Sequence, residues 1–330
     1  MHKNSKNWPE AEVWRQNDLP LLSLIVPVYN EEVSVFPFIE KINEVFIQQK
    51  KVNIEILFVN DGSSDNTLRE LLKIQRKYQG IYIIDLSRNF GKEAALTAGL
   101  TKANGDIVVP IDVDLQEPPE LILDMLEKWK DGYEVVLAKR IDRSSDAWLK
   151  RVSANLFYRF HNKLASPNIP ENVGDFRLMD RKVVNALNNL PESKRFMKGL
   201  FAWVGFKTTT VEFERRQRSK GKSKFNGLRL MSLAVDGITS FSIAPLRLWT
   251  YLGCLIAFTS FIFVFIILAR YFIFGVDVPG YASLVVAITF LGGLQLIGIG
   301  VLGEYLGRVF VETKRRPIFV IRETYERKSE

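Results

Sequence analysis

Two stretches without a single charge constrain this chain more than any other feature: Leu248 to Ala269, 22 residues, and Val278 to Gly303, 26 residues. A helix needs about 20 apolar residues to cross the hydrocarbon of a bilayer, and helices buried in a soluble core have shorter apolar runs. The expectation is two transmembrane helices, at 246–274 and 279–303. Their short connection, Gly275 to Gly280, holds no basic residue, whereas Arg247 precedes the first run and Arg308, Lys314, Arg315 and Arg316 follow the second. By the positive-inside rule both ends of the pair face the cytoplasm. Gly292, Gly293, Gly298, Gly300 and Gly303 crowd the second run. Small residues let helices approach closely in lipid, which favours packing against a partner helix and leaves a homo-oligomer open.

Composition becomes informative once the chain is divided there. The net charge of +8 belongs to a charged first 245 residues followed by an apolar remainder. Met1 to Pro20 is a polar lead-in without the apolar core of a signal peptide. Cys254 is the only cysteine, and His2 and His161 are the only histidines, so neither an internal disulfide nor a zinc cluster is expected. From Lys194 to Arg229 there are 11 basic residues against two acidic ones, Glu212 and Glu214. Nucleic acid is the rival ligand for such a block, but no nucleic-acid-binding motif accompanies it and an apolar run follows closely. Anionic headgroups attract juxtamembrane basic residues by about 1 kcal/mol each, so membrane rather than nucleic acid is the expected neighbour. Residues 226–245, with Leu228, Leu230, Met231, Leu233, Ile238 and Phe241 among polar residues, suit an amphipathic helix in the interface; a last core helix is the alternative.

The first part, 21–225, reads as one α/β domain. Short β-rich runs at Leu22 to Val28, Ile54 to Val59, Ile81 to Asp85, Ile107 to Ile111 and Val135 to Ala138 alternate with helical patterns starting near Glu31 and at Thr67 to Lys77, Lys92 to Ala103 and Glu120 to Lys130. That alternation predicts a mostly parallel sheet covered on both faces, with ligands at the carboxyl ends of its strands. Polar residues follow these ends at once: Tyr29, Asn30 and Glu31; then Asn60, Asp61, Gly62, Ser63, Ser64 and Asp65; then Asp112 and Asp114. No Gly-x-Gly-x-x-Gly follows the first strand, which argues against a dinucleotide. Two carboxylates at i and i+2 after a buried strand suit a hard cation that keeps waters and binds substrate phosphates. Asp112 and Asp114 are therefore the candidate metal ligands.

Val26-Pro27-Val28-Tyr29-Asn30-Glu31-Glu32, Val59-Asn60-Asp61-Gly62-Ser63-Ser64-Asp65 and the aspartate pair stand in the order found in glycosyltransferase family 2, which this chain resembles, with its GT-A nucleotide-sugar fold. Ser87-Arg88-Asn89-Phe90-Gly91-Lys92-Glu93, Leu137-Ala138-Lys139-Arg140, the run Glu171 to Met179 and Lys224-Phe225-Asn226-Gly227 are similar to the polyprenyl-phosphate branch, bactoprenol glucosyltransferases in particular. The resemblance spans about Leu22 to Pro317 and departs at Asn60, where many members carry Asp, and at Ser223, which follows the wider branch.

The resemblance implies UDP-glucose as donor, undecaprenyl phosphate as acceptor, Mg2+ or Mn2+ as cofactor, and inversion at the sugar. It also implies a bacterial inner-membrane enzyme with both termini and the catalytic domain cytoplasmic, 304–330 being a C-terminal tail. Pro27, Tyr29, Asn30, Glu31, Asp61 and Ser63 are then matched to the nucleoside side of the pocket, Asp112, Asp114 and Gln116 to the diphosphate and metal, and Arg140 to the phosphates. Asp175 is matched to a candidate general base; a helix cap ahead of Arg181 is its bland alternative. Arg215, Arg218, Ser223 and Lys224 are expected to hold the acceptor phosphate or the donor diphosphate, since an arginine fork fits phosphate geometry. A processive polysaccharide synthase is disfavoured because the chain has no Gln-x-x-Arg-Trp run and only two apolar stretches, and a non-catalytic scaffold because the acidic positions are intact. If Arg218 holds phosphate, Arg218→Ala will weaken acceptor binding or turnover at least tenfold in a detergent-solubilised assay; unchanged values of both would refute that role.

Overall fold

The computed structural model describes residues 19–47, 52–141, 173–192, 195, 197–214, 244–274 and 280–326. Five strands fall where the apolar runs place them: β1 (Leu21–Val28), β2 (Asn53–Asn60), β3 (Ile81–Leu86), β4 (Ile107–Pro110) and β5 (Val135–Arg140). Between them run α1 (Val35–Ile47), α2 (Thr67–Lys77), α3 (Lys92–Lys102) and α4 (Leu121–Lys130). Three further strands, β6 (Val173–Asp180), β7 (Thr208–Phe213) and β8 (Ile321–Tyr325), have no counterpart in the sequence reading, nor has helix α6 (Met197–Trp203); α5 (Arg181–Asn188) begins where the helix-cap alternative placed a helix start. Two long helices, α7 (Ala244–Phe274) and α8 (Tyr281–Thr313), contain the apolar runs.

All eight strands share one sheet in the order β7-β5-β6-β4-β1-β2-β3-β8. The β1/β2, β1/β4, β2/β3 and β5/β7 pairs are parallel, while β6 runs antiparallel to β4 and β5, and β8 antiparallel to β3. The central strands are buried on both faces, which is why they read as continuous apolar runs. One face packs Phe38 of α1, Leu71 of α2 and Ile122 and Met125 of α4 against Leu24, Val26 and Phe58, with Phe38 edge-on to Phe58 at 5.9 Å between centroids. The other packs Leu96 of α3, Val184 and Leu187 of α5 and Leu200 of α6 against Ile25, Leu57 and Val59. Gly99 lets α3 lie directly on β1, because a Cβ there would enter the Ile25 side chain. Pro27 costs no ladder bond: β4 ends at Pro110 opposite Ile25, so the side of β1 that Pro27 faces has no strand beside it.

The amino-terminal edge of the sheet is closed by a buried polar knot. Glu55 of β2 accepts from Ser23 Oγ of β1 and from the backbone N–H groups of Asn104 (2.7 Å) and Gly105 (3.2 Å) ahead of β4. Arg181 Nε donates to the Gly105 carbonyl at 2.7 Å, fixing the start of α5 to the same place. Burial pushes the Glu55 carboxyl above the ordinary range against the pull of its donors, and its Oε2 has no hydrogen-bond partner among the described residues.

Both long helices exceed the membrane requirement in length. At 1.5 Å per residue, the 31 residues of α7 and the 33 of α8 span about 46 and 50 Å. Phe290–Thr313 is long and apolar enough to cross a membrane, and Leu248–Phe263 is a shorter apolar stretch. The expected second span, 279–303, overlaps a helix that begins at Tyr281 and continues ten residues beyond it, and among the described residues only this helix is both long and apolar enough to cross. Phe258, Phe261, Phe265, Leu284, Leu296 and Ile299 are all exposed, an apolar surface of the kind that meets lipid or another protein. Gly298 is buried and receives the Trp249 indole of α7 where a Cβ would collide with it, so one of the crowded glycines does permit close helix approach. The expected interfacial helix at 226–245 lies outside the described residues except for its last two.

Removing the Glu55 side chain strips the Asn104 N–H of its acceptor and leaves the Gly105 N–H with Ser23 Oγ alone, so Glu55→Ala should cost about 1–3 kcal/mol in urea unfolding of the detergent-solubilised protein. Because the folded state holds the Glu55 proton more tightly, this group's contribution is greatest below the unfolded value of about 4.3 and is lost as pH rises through the elevated folded value. Glu55→Gln should flatten that slope.

Candidate active site

The carboxyl ends of β1, β2, β3 and β4 lie along one edge, and β6, running the other way, brings its beginning to that edge. The antiparallel pairing Ile107↔Asp180 and Val108↔Met179, continued at the same step, sets Asp112 opposite Asp175. Lys92, the first residue of α3, joins them: its Nζ lies 2.7 Å from Asp112 Oδ1, 3.0 Å from Asp112 Oδ2 and 3.0 Å from Asp175 Oδ2. Burial by itself would raise the Asp175 pKa, but Lys92, then Lys198 and Arg177, hold its carboxyl below the usual range. The helix-cap alternative for Asp175 does not hold, since Asp180 caps α5 by accepting from Lys182 N at 3.0 Å.

Asp114 is nearly buried, and its Oδ1 accepts from Gln116 N at 3.2 Å. Between them Leu115 takes φ 55°, a left-handed conformation that costs a branched residue energy and that the Asp112–Gln116 turn requires. Gln116 Oε1 and Asp175 Oδ1 are buried with no hydrogen-bond partner among the described residues. Two further carboxyls beside this cluster carry raised pKa values: Glu117 is pushed up to about 8 by burial and then by Asp112, and Glu93 to about 7 by burial and then by Asp175. Arg177, stacked over the Phe201 ring at 3.9 Å and bonded to the Gly174 carbonyl at 2.6 Å, lines a cleft with Lys198 on the same side of β6.

The loops after β1 and β2 are laced to each other. Asn30, at φ 54°, donates its N–H to Ser63 Oγ (3.0 Å) and accepts from Ser64 N (2.8 Å), while Glu31 N donates to Thr67 Oγ1 (2.9 Å) and Glu31 Oε2 accepts from Ser34 Oγ (2.6 Å). Tyr29 stays half-exposed above them, and Pro27 lies at the end of the strand beneath. Asp61 turns inward: its two oxygens accept from Phe90 N (2.7 Å) and Gly91 N (2.9 Å), and burial raises its pKa against that pull. Its carboxylate thus anchors the loop that delivers Lys92. Asn60 Nδ2 donates to buried Asp85 at 2.7 Å, and Asp85 also meets Arg322 of β8 at 3.4 Å. Arg140 ends β5 at the same edge. Arg215, Arg218, Ser223 and Lys224 lie outside the described residues.

The structure therefore brings Asp112, Asp114, Gln116 and Asp175 together, with the Asn30–Ser64 loops beside them. Lys92, Glu93, Glu117, Lys198 and Arg322 were not singled out by sequence. Lys92 and Glu93 did sit in a family-like run, and their place at the start of a helix that follows a strand and a glycine was the available signal.

An eight-stranded, mostly parallel sheet with paired acidic residues at its carboxyl edge defines the GT-A class of α/β fold. The sequence matches the family described as "Glycosyl transferase family 2" over residues 23–187, and the chain belongs to that family. It is 50% identical over 92% of its length to the SfII prophage-derived bactoprenol glucosyl transferase of Shigella flexneri, covering 98% of that protein. An uncharacterized glycosyltransferase of Synechocystis is 49% identical over 92% of this chain and 95% of its own. Among solved structures, glucosyl-3-phosphoglycerate synthase from Mycobacterium tuberculosis in complex with Mn2+, uridine-diphosphate and phosphoglyceric acid has the same fold, with TM-score 0.50 and 20% identity over 67% of this chain and 76% of that one.

Gly62, at φ 63°, has the Arg88–Asn89 backbone where a Cβ would stand, whereas Gly91, at φ 98°, faces open space. Gly91 also has ψ 159°, a backbone region essentially reserved to glycine, so Gly91→Ala should cost about 1–3 kcal/mol of backbone strain alone, and Gly62→Ala more, because the β2 loop must also lift off the β3 loop. Equal losses in urea unfolding would contradict this packing.

Proposed function

We propose that this protein transfers glucose from UDP-glucose to a polyprenyl phosphate of the undecaprenyl type, with inversion, at the cytoplasmic face of a bacterial inner membrane. The observation that carries the reading is the convergence of Asp112, Asp114 and Asp175 at one sheet edge in a chain that also carries two long helices with exposed apolar surfaces. The relatives named bactoprenol glucosyl transferase, about half identical across nearly their whole length, supply the lipid and the sugar.

The connectivity supports two crossings. β7 precedes the two long helices, β8 follows them, and both strands lie in the same sheet. One sheet occupies one side of a membrane, so the chain between these strands crosses an even number of times. Since a single crossing is incompatible with this pairing, the exposed apolar surfaces of α7 and α8 favour two. The basic flanks then set the sheet in the cytoplasm.

The donor set fits a divalent cation shared with substrate. Asp112 and Asp114 offer hard oxygens, and no cluster of three or more His, Cys, Asp or Glu able to enclose a metal occurs among the described residues. A cation that keeps waters and binds phosphate oxygens needs no such cage. When bound there by Asp112 and Asp114, it supplies positive charge against the diphosphate leaving group.

The protein's own groups do the rest. The loops of Asn30, Glu31 and Ser63 receive the nucleoside, and Arg140 lies by the phosphates. A phosphate monoester has a second pKa of about 6 and is already largely dianionic near neutrality. Its oxygen attacks the anomeric carbon as the bond to the diphosphate breaks, releasing UDP without needing a proton removed. Asp175 then orients acceptor or sugar rather than serving as an obligatory base, and Arg215, Arg218, Ser223 and Lys224 draw the lipid phosphate in. A different hexose donor is the alternative, since one hydroxyl separates epimers.

Radiolabelled nucleotide sugars offered with undecaprenyl phosphate test all of this. Label should enter the lipid from UDP-glucose, disappear with chelator, and fall by about 100-fold or more in Asp114→Asn. Transfer from another donor alone, or none to lipid, would overturn the reading.

A further inference from the structure

Lys92 links two acidic residues with different expected roles. Its ammonium lies within 3.0 Å of both oxygens of Asp112, a candidate metal ligand, and at 3.0 Å from Asp175, the residue expected to face the acceptor. These carboxylates come from opposite-running strands and would repel without it. The neighbourhood adds Glu93, Glu117, Lys198 and Arg177, so Lys92 stands with Lys198 and Arg177 among the cations that face four acidic side chains. Lys92 is also held firmly at its base: it follows Gly91, whose N–H and that of Phe90 are bound by Asp61. The side chain itself is 44% exposed and that of Asp112 40%, so solvent ions reach both.

With its ammonium against both Asp112 oxygens, Lys92 and a divalent cation there would repel each other and compete for the same carboxylate. We propose that Lys92 is a positioning residue that holds Asp112 beside Asp175 and competes with the divalent cation for Asp112, yielding it when the donor's diphosphate arrives to receive the ammonium. The proposal rests on the metal-dependent transfer above and extends it. Metal alone has to displace a cation that gains nothing in exchange, so it binds weakly. Metal with nucleoside diphosphate offers Lys92 phosphate oxygens, so the two ligands bind with positive coupling, and linkage requires that each strengthen the other equally. The lysine thereby discourages metal from settling before the donor and keeps the carboxylates spaced to receive it.

The test uses the full chain in detergent, with free Mn2+ followed by its electron paramagnetic resonance signal, with and without UDP. In the wild type, Mn2+ should bind weakly alone and at least tenfold more tightly with UDP. In Lys92→Gln, Mn2+ alone should bind about tenfold more tightly than in the wild type, the coupling with UDP should shrink, and turnover should fall. Lys92→Arg, which keeps the charge, should return the Mn2+ affinity toward the wild-type value. Should the glutamine variant be poorly folded, the same idea requires Mn2+ to raise its melting temperature by more than it raises that of the wild type. Unchanged or weaker Mn2+ binding in Lys92→Gln, or no larger thermal gain where it is unstable, overturns the role of Lys92 alone. Failure of the wild type to bind Mn2+ even with UDP overturns the metal-dependent reading and this inference together.

Discussion

The carboxylate of Asp61 organises much of the edge around it. It sits at the end of β2, almost fully buried, and spends both oxygens on the N–H groups of Phe90 and Gly91. A buried carboxylate without such donors would be costly, and a loop bearing two unanswered N–H groups would be costly in turn; each removes the other's penalty. The exchange fixes where α3 begins, and α3 begins with Lys92. Gly62, one residue on, passes so close to the Arg88–Asn89 backbone that no side chain fits between the two loops. The position of the central lysine is thus set by residues outside its own helix.

A second chain of contacts reaches the same loops from the far end of the sequence. Arg322 of β8 donates to the Ser87 carbonyl at 2.6 Å and faces Asp85, which accepts from Asn60, whose Oδ1 accepts from Ser63 N at 3.3 Å. Asn60 therefore does something an aspartate could not do in the same way: it donates to one acidic neighbour and accepts from a backbone N–H. The segment beyond α8, expected from sequence to be a tail, contributes a strand and a charged contact two steps from the loop proposed to receive the nucleoside.

The alternating core was legible because parallel strands covered on both faces must be apolar throughout, and helix α2 was read to its end residues. β6 was hidden by Asp175 and Arg177, whose charges face the site and cleft rather than solvent, so the strand lacks a clean pattern. β7 alternates between exposed and half-buried residues at a sheet edge, and β8 is mostly polar, joined to β3 across more than 230 residues of sequence. The acidic pair at Asp112 and Asp114 announced itself by following a buried strand. Lys92 did not, because its meaning depends on β6 arriving antiparallel beside β4, which no local spacing reveals. Asp61 was legible as an important residue, but the burial that turns it toward the Gly91 loop was not.

The pairing of β8 with β3 also imposes an order on biosynthesis. Every residue of β3 is buried in the finished protein, yet its outer edge stays unpaired until Ile321–Tyr325 has been translated. Before then both long helices must be synthesised while a bare hydrogen-bonding edge waits in the nascent domain, an invitation to mispairing. The last strand acts as a closing seam: only a chain that has already made both long helices can return this segment to complete the sheet.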